Sequence, residues 1–362
     1  MGIALCVYPL LPNYGALIAI RLLFALGGGA SSSMLVAVLA DYAHDKIRGR
    51  LAGLVGLCSG LGALLALFVF MPMPFKFGDA AKGLRVTFLI VGLLSVIFAV
   101  LLFFFLKPIK APEEDDADKT EPEETESRKT FIQTAKEGIL AAKDPKVLLG
   151  YVGSFLARGD TVIITLFVPL WVYKRYIELG NCNPVGGVED PNIRDVCAEA
   201  FKRGSAISGV AQTFALVGAP LFGYLADRFS ATSVVLMNAA IGCISYFVMF
   251  AADPMKSYVY AIVIFVGLSE IGLIIGNLSL VTNNDSVDKS IRGSVAGVSS
   301  ACGAIGILIS SKLGGALFDS WREGAPFFVL AIGHFIAAMF GVWVVVGEWK
   351  KRRVGAAASS DV

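Results

Sequence analysis

The apolar residues of this chain fall into ten blocks, and nine of these are about 20 residues long, the length that a helix needs to cross a bilayer. Hydrophobic residues make up 56% of the 362 residues and charged residues only 17%, which is more apolar surface than a soluble domain of this size needs. The sequence therefore predicts an all-α polytopic membrane protein with about ten membrane helices, nine of them complete. The blocks are Met1–Leu10, Tyr14–Leu39, Leu51–Met71, Val86–Leu106, Val147–Tyr173, Ser205–Leu225, Ser233–Ala252, Tyr258–Val281, Val295–Leu317 and Pro326–Val346.

The first block, Met1–Leu10, is too short to span a membrane. No basic residue precedes its apolar run, so it does not have the pattern of a signal peptide. We expect it to be the end of a helix whose beginning is absent.

A 15-residue pattern occurs twice, as Arg48–Gly62 and as Arg292–Gly306. Arg, Gly, Ala, Gly, Cys and Gly recur in register, each copy opens an apolar block, and a lysine (Lys46 or Lys289) lies just upstream. Duplicated membrane-helix units are typical of secondary transporters, although two glycine-rich helices can also match by chance. Each copy is followed by one further block before its half of the chain ends. The second half holds six blocks, so we expect the first half to lack two helices and most of a third.

One stretch, 107–146, breaks the membrane pattern because it carries the acidic runs Glu113–Asp116 and Glu121–Glu124. Such a composition predicts a solvated linker, whose last part, Phe131–Ala142, has apolar residues at helical spacing and can lie along the membrane surface. The expected domains are then an incomplete N-terminal helix bundle (1–106), the acidic cytoplasmic linker (107–146), a C-terminal six-helix bundle (147–346) and a cytoplasmic tail (347–362).

The distribution of basic residues predicts the orientation. With the C-terminus inside, the inner segments carry 18 lysines and arginines and the outer loops carry 10, which favours a cytoplasmic C-terminus. This orientation places Cys182 and Cys197 in an outer loop, where they either form a disulfide or remain two free thiols. The other four cysteines lie in apolar segments and are expected to be packing residues.

Two motifs resemble the major facilitator superfamily, whose members have twelve helices in two six-helix bundles. Gly223–Arg228 reads Gly-Tyr-Leu-Ala-Asp-Arg, like the family's inner loop signature, and Arg21–Gly27 resembles its fourth-helix pattern. The resemblance implies transport of a small solute by alternating access, with 1–106 rocking against 147–346 around a midplane site. The first half has no loop signature of its own, and Gly60–Ala63 lacks the Gly-Pro pair of many drug/proton antiporters.

Charged residues inside apolar blocks are candidates for function because a charge in a bilayer is costly. Four qualify by this reasoning: Arg21, Arg158, Asp160 and Glu270. By analogy with the family, their segments are the fourth, seventh and tenth helices, which line the central pathway. The seventh carries a polar stripe on one face, formed by Tyr151, Ser154, Arg158, Thr161 and Thr165. Arg21 could instead extend toward the outer surface.

Glu270 is the best candidate for proton coupling, because burial disfavours the charged form of a carboxyl group and so allows proton exchange near neutral pH. Asn277 shares its helical face. Asp160 is the second candidate, although it lies about 200° around the helix from Arg158 and so faces elsewhere. For each carboxyl, the alternative is a structural role in helix packing.

The family resemblance also implies an inner gate. Asp227 and Arg228 lie in a tight turn, from which a carboxylate could reach the helix start at Arg48-Gly49 and bridge the halves. Gly223 precedes this turn, and Arg292-Gly293 opens the second copy of the repeat. The alternative is a solvated turn.

Signals for other functions are poor. Only two histidines, His44 and His334, are present, so no histidine-rich metal site or Ser/His/Asp set is expected, and His334 is expected to be a packed residue. A net charge of +2 without a basic surface gives no case for nucleic acid. We expect no cofactor, no metal and a monomer in the bilayer. A non-transporting membrane protein, such as a sensor or truncated isoform, is the main alternative, and an integral membrane enzyme is the third.

Overall fold

The computed structural model describes residues 1–42, 47–70, 73, 80–105, 131–183, 196–282, 287 and 291–360. Every regular element in these ranges is a helix, and nine helical segments are long and apolar enough to cross a membrane. The predicted all-α polytopic fold with nine complete spans is confirmed. The helices are α1 (Gly2–Val7), α2 (Tyr14–Tyr42), α3 (Arg48–Leu65), α4 (Ala80–Phe105), α5 (Phe131–Leu140), α6 (Pro145–Val162), α7 (Val168–Glu178), α8 (Ala198–Arg228), α9 (Ala231–Ala251), α10 (Tyr258–Val281), α11 (Arg292–Ser320) and α12 (Ala325–Ser360).

Local sequence signals explain where several helices begin. Asp144 caps α6, since its carboxylate accepts from the N–H of Lys146 at 2.8 Å, and Pro145 occupies the first helical position. Ser230 caps α9 in the same way by accepting from the N–H of Ser233 at 3.1 Å. Both starts follow from side-chain chemistry that the sequence already displays.

The span Pro145–Glu178 consists of α6 and α7 joined by a π-helical turn, Ile163–Phe167. Pro169 lies just after this turn and lacks the N–H that an α-helix would use. The wider turn accommodates that missing bond, so the span continues across the proline.

Two compact units are present, and their boundaries differ from the sequence division at residues 106 and 147. The first unit comprises 1–32 and 66–134, and the second comprises 33–65 and 135–362. Segment 33–65 belongs to the second unit because its helix α3 packs closely on α8, where Gly53 lies against the carbonyl oxygen of Ala219. The acidic part of the expected linker, 107–130, lies outside the described residues.

The first unit is held by close packing of α1 on α4. Gly92 leaves room for Cys6, and Gly2 leaves room for Val96. The ring of Tyr8 stacks on that of Phe88 with centroids 5.3 Å apart.

The second unit contains the largest buried apolar cluster, formed by α6 to α10 and α12 with a contribution from α11. Phe327 and Trp171 meet edge to face at its centre, with centroids 5.1 Å apart. At one end of the unit a bond of 2.12 Å joins the sulfur atoms of Cys182 and Cys197. This unit carries almost all the candidate functional residues.

Candidate functional site

A buried polar cluster joins three helices of the second unit. The hydroxyl groups of Ser154 on α6 and Ser299 on α11 are 2.6 Å apart, and the Asn277 amide of α10 donates to Ser154. All three residues are buried. Close approach of the helices makes this possible, since Gly153 lies against Asn277 without a side chain of its own.

Other members of the predicted stripe on α6 have different surroundings. Tyr151 is buried and donates through its hydroxyl group to the carbonyl of Gly138 at 2.7 Å, which ties α6 to α5. Thr165 is exposed and donates to the carbonyl of Thr161 at 2.6 Å. Of the five stripe residues, Tyr151 and Ser154 are therefore buried, Thr161 is half-buried, and Arg158 and Thr165 are exposed.

Glu270 is 4% exposed and is held by two neutral donors. Thr161 donates to its Oε1 at 2.8 Å, and the Gln212 amide of α8 donates to its Oε2 at 3.2 Å. Within the described ranges, no lysine or arginine forms an ion pair with this carboxyl group. Glu270 is therefore not fixed in its charged state by a bound cation.

Thr161 can serve both protonation states of Glu270. Its hydroxyl oxygen is also 3.1 Å from the carbonyl of Ala157. A hydroxyl group donates one hydrogen bond and accepts others. When Glu270 is ionised, Thr161 donates to it. When Glu270 is protonated, its carboxylic acid can donate to the hydroxyl oxygen of Thr161, and the Thr161 hydroxyl group then donates to the carbonyl of Ala157. Both states keep their hydrogen bonds without backbone movement.

Arg158 lies one turn from Thr161, and its side chain is exposed. Its aliphatic stem crosses α11 at Gly303, where a Cβ would lie 2.9 Å from the Arg158 Cγ. No hydrogen bond or ion pair joins Arg158 to the part of the chain that the structure describes, so its donors are available.

Asp160 faces the opposite way from Arg158 and meets His334 of α12. Both side chains are fully buried, and Oδ1 of Asp160 is 2.9 Å from Nε2 of His334. The Tyr246 ring lies against the imidazole with centroids 5.3 Å apart. Gly242 provides the space, since a Cβ there would overlap the imidazole ring of His334. Asp160 thus has a buried partner on α12.

The last turn of α8 contacts the start of α3. Asp227 and Arg228 belong to this helix, so the prediction that they lie in a tight turn is wrong: the helix continues to Arg228. Asp227 accepts from the backbone N–H of Gly49 and, at 3.0 Å, from that of Arg50. The Nε of Arg50 is 3.6 Å from the same carboxylate. Carboxylates are favoured at helix N-termini because the first N–H groups have no partner within the helix. The backbones also meet directly, with a Cβ on Gly223 placed 2.7 Å from the carbonyl oxygen of Gly49.

The two glycines of the second copy of the repeat have different surroundings in the described ranges. Gly293 and Gly297 each have open space where a Cβ would lie, whereas Gly49 and Gly53 are tightly enclosed. Arg292 is buried, as is its counterpart Arg48. Arg228 is exposed at the end of α8.

Arg21 belongs to the first unit. Its side chain is exposed, and its guanidinium carbon lies 5.8 Å from the centre of the Tyr8 ring. The candidate pathway residues on α6 and α10 belong to the second unit.

Sequence reasoning missed several polar residues of the second unit. His334 was expected only to be packed, and Gln212 and Ser299 were not considered. Lys312 was also overlooked, although it lies inside the span Arg292–Ser320 and is exposed. A useful signal was present, because a polar side chain within an apolar span needs a partner. Among the described residues, no three side chains of His, Cys, Asp or Glu are grouped as metal ligands.

Comparison with known proteins identifies a family and a fold. The family model described as Major Facilitator Superfamily matches residues 1–284 and 198–359. The magnetosome protein MamH of Paramagnetospirillum magneticum is 24% identical over 329 residues, covering 91% of this chain and 68% of that protein. Magnetosome protein MamZ of the same organism is 21% identical over 326 residues, and the chain spans only 46% of its length. The crystal structure of the transporter FucP in its outward conformation matches with a TM-score of 0.62 at 12% identity, covering 93% of this chain and 78% of FucP.

Proposed function

Because the chain belongs to the major facilitator superfamily of membrane transporters, we propose that it carries a small anionic solute across a membrane by alternating access, with Glu270 as the coupling proton carrier. It is an integral multi-pass membrane protein. Residues 1–106 would rock against 147–346 during the cycle. The orientation bias of the basic residues supports a cytoplasmic C-terminus.

The proton-coupling part of the proposal rests on Glu270. A coupling carboxyl group must be stable in both its charged and its neutral form, because it gains and loses a proton in each cycle. Thr161 and Gln212 can hydrogen-bond either form, and no cation is bound to the carboxylate in the described residues. Thr161 lies on α6 and Glu270 on α10, so protonation alters a bond between two helices.

The substrate part rests on Arg158. A guanidinium group offers five donors in a planar fork that suits a carboxylate or a phosphate. Arg158 is exposed and unpaired among the described residues, one turn from the Thr161 that bonds Glu270. An anionic group bound there would place solute charge and coupling proton side by side.

Asp227 serves in this proposal as the closing contact of the cytoplasmic side. Its bonds to the start of α3 join the last turn of α8, in the second half of the chain, to a helix of the first half. Opening that side would break these bonds. The gating residues would then be Asp227, Arg50 and the glycines that let α3 and α8 touch.

Proton coupling is tested with the full chain in liposomes. The solute is first identified by thermal stabilisation with a panel of carboxylates, phosphate and phosphate esters, with neutral hexoses for comparison. Glu270→Gln keeps the shape and removes the exchangeable proton. It should abolish accumulation driven by a pH gradient and leave solute counterflow within about twofold, because exchange between loaded states need not move the proton. Glu199→Gln, at an exposed position, is the matched control. Wild-type accumulation in Glu270→Gln would contradict the proposal.

Solute recognition is tested through Arg158→Lys and Arg158→Ala. Loss of a bidentate charged contact should weaken solute binding by about 10- to 100-fold in the alanine variant, with partial recovery in the lysine variant. Binding affinity is measured by calorimetry on purified protein. Unchanged affinity in both variants, or a preference for neutral hexoses in the wild type, would refute an anion site.

A further inference from the structure

The short helix α5 has one face that the second unit covers and one face that it leaves exposed. Gly138 is buried, and a Cβ there would lie 2.6 Å from the carbonyl oxygen of Ser294 and 2.8 Å from Val298. Ile132 and Ile139 are 74% and 61% exposed. Gly138 lies about 120° around the helix axis from Ile132, so the packed face and the exposed face of α5 are on different sides of the helix.

The exposed face combines apolar and basic side chains. Ile132, Lys136 and Ile139 lie at i, i+4 and i+7 and so share one side of α5, with Leu140 beside them. Lys143 follows in the next turn and is exposed. Neither lysine forms an ion pair within the described ranges. In water, an apolar face of this kind would remain uncovered.

The position of α5 indicates what covers this face. Its C-terminal end leads within five residues into the membrane span that begins at Pro145. Gly138 lies beside the first two turns of α11, at Ser294 and Val298, about 3–9 Å along that span from its start. Tyr151, which bonds to Gly138, lies about 9 Å along the span of α6. Both contacts therefore lie within the first two turns of a span, the part of a spanning helix that is nearest to the membrane surface, where interfacial helices bind.

We propose that α5 lies in the membrane interface, with Ile132 and Ile139 among the acyl chains and Lys136 and Lys143 bound to acidic phospholipid headgroups. The lysine stems can cover apolar surface while their ammonium groups extend to the phosphates. Because Gly138 rests on the start of α11, the bound leaflet anchors the helix that carries the second copy of the repeat. The proposal is independent of the solute that the chain carries.

Contact with lipid is tested by photocrosslinking. The full chain carries benzoylphenylalanine in place of Ile139 and is reconstituted in vesicles of phosphatidylcholine containing 25% phosphatidylglycerol. Illumination should give lipid adducts at this position, detected by mass spectrometry. The same probe in place of Asn181, an exposed loop residue, is the control and should give few. Absence of lipid adducts at position 139 would overturn the interfacial placement.

The role of charge is tested by native mass spectrometry of phosphatidylglycerol retained from the same vesicles. A lysine near an acidic surface contributes about fivefold to binding, so the double variant Lys136→Ala/Lys143→Ala should lower retention of this lipid about 25-fold. Lys136→Arg with Lys143→Arg should restore it. Equal retention of phosphatidylglycerol in the alanine and arginine variants would overturn the assignment of acidic headgroups. So would a yield of lipid adducts at position 139 that is the same in vesicles with and without phosphatidylglycerol.

Discussion

Replacing Gly49 with alanine should separate α3 from α8, whereas the equivalent change at Gly293 should not destabilise the protein. The ideal Cβ of residue 49 would lie 2.5 Å from the carbonyl oxygen of Gly223 and 2.6 Å from the Asp227 carboxylate. Real Cβ atoms do not approach backbone oxygen so closely, so α3 must move away. At Gly293 no atom of the residues that the structure describes lies within 4 Å of the added carbon. The two glycines occupy the same position of the repeat, which makes them a matched pair.

The expected magnitude follows from three contributions. Overpacking a close helix contact costs about 1–3 kcal/mol. Displacing α3 from Asp227 costs about 1 kcal/mol more, because its N-terminal N–H groups lose their cap. Alanine gains up to about 1 kcal/mol over glycine in helix propensity. Gly49→Ala should therefore destabilise the protein by about 2 kcal/mol, and Gly293→Ala should stabilise it by up to about 1 kcal/mol.

The assay is thermal unfolding in detergent, followed by the loss of the monodisperse peak in fluorescence-detected size-exclusion chromatography. A loss of about 2 kcal/mol corresponds to a fall of about 3 °C in Tm for a chain of this length. Adding Asp227→Asn tests the mechanism, because two changes that disrupt one contact should not be additive. Equal Tm values for Gly49→Ala and Gly293→Ala would refute the reasoning, and so would full additivity with Asp227→Asn.

Three further outcomes are expected. Gly242→Ala should lower the free energy of unfolding by about 1–3 kcal/mol because its Cβ would overlap the His334 ring. Gly62→Ala is the control, since no described residue lies near its added Cβ, and it should not lower this free energy. Similar Tm losses in both variants would argue against a tightly packed imidazole. Cys182 and Cys197 should resist alkylation until a reductant is added, and rapid labelling of both in untreated protein would exclude the bond. An epitope tag at the C-terminus should stain only permeabilised cells, and staining of intact cells would reverse the proposed orientation.

Sequence by itself determined the fold class and much of the element order. Nine apolar blocks of spanning length have few alternatives in a bilayer, because each must satisfy its backbone internally. The caps at Asp144 and Ser230 are also local, since donor and acceptor lie two or three residues apart. The repeat and the loop signature also indicate the family without any tertiary information.

Only the tertiary structure decided the partners of the buried polar groups. Glu270 lies 109 positions from Thr161, and Asp160 lies 174 positions from His334. Helical periodicity places Arg158 and Asp160 on different sides of α6 but does not say which helix stands on each side. The partner helix depends on how the helices are rotated and shifted against one another. For example, Gly306 allows α11 to approach the backbone of α6 at Phe155.

The two copies of the repeat make the same point. Arg48-Gly49 and Arg292-Gly293 have the same residues at the start of a long helix. Gly49 is enclosed by the last turns of α8, whereas no described residue lies against Gly293. Local sequence fixes the helix and its first residues in both copies. The neighbour that fills the surrounding space is a property of the packed fold, because it comes from a part of the chain more than a hundred residues away.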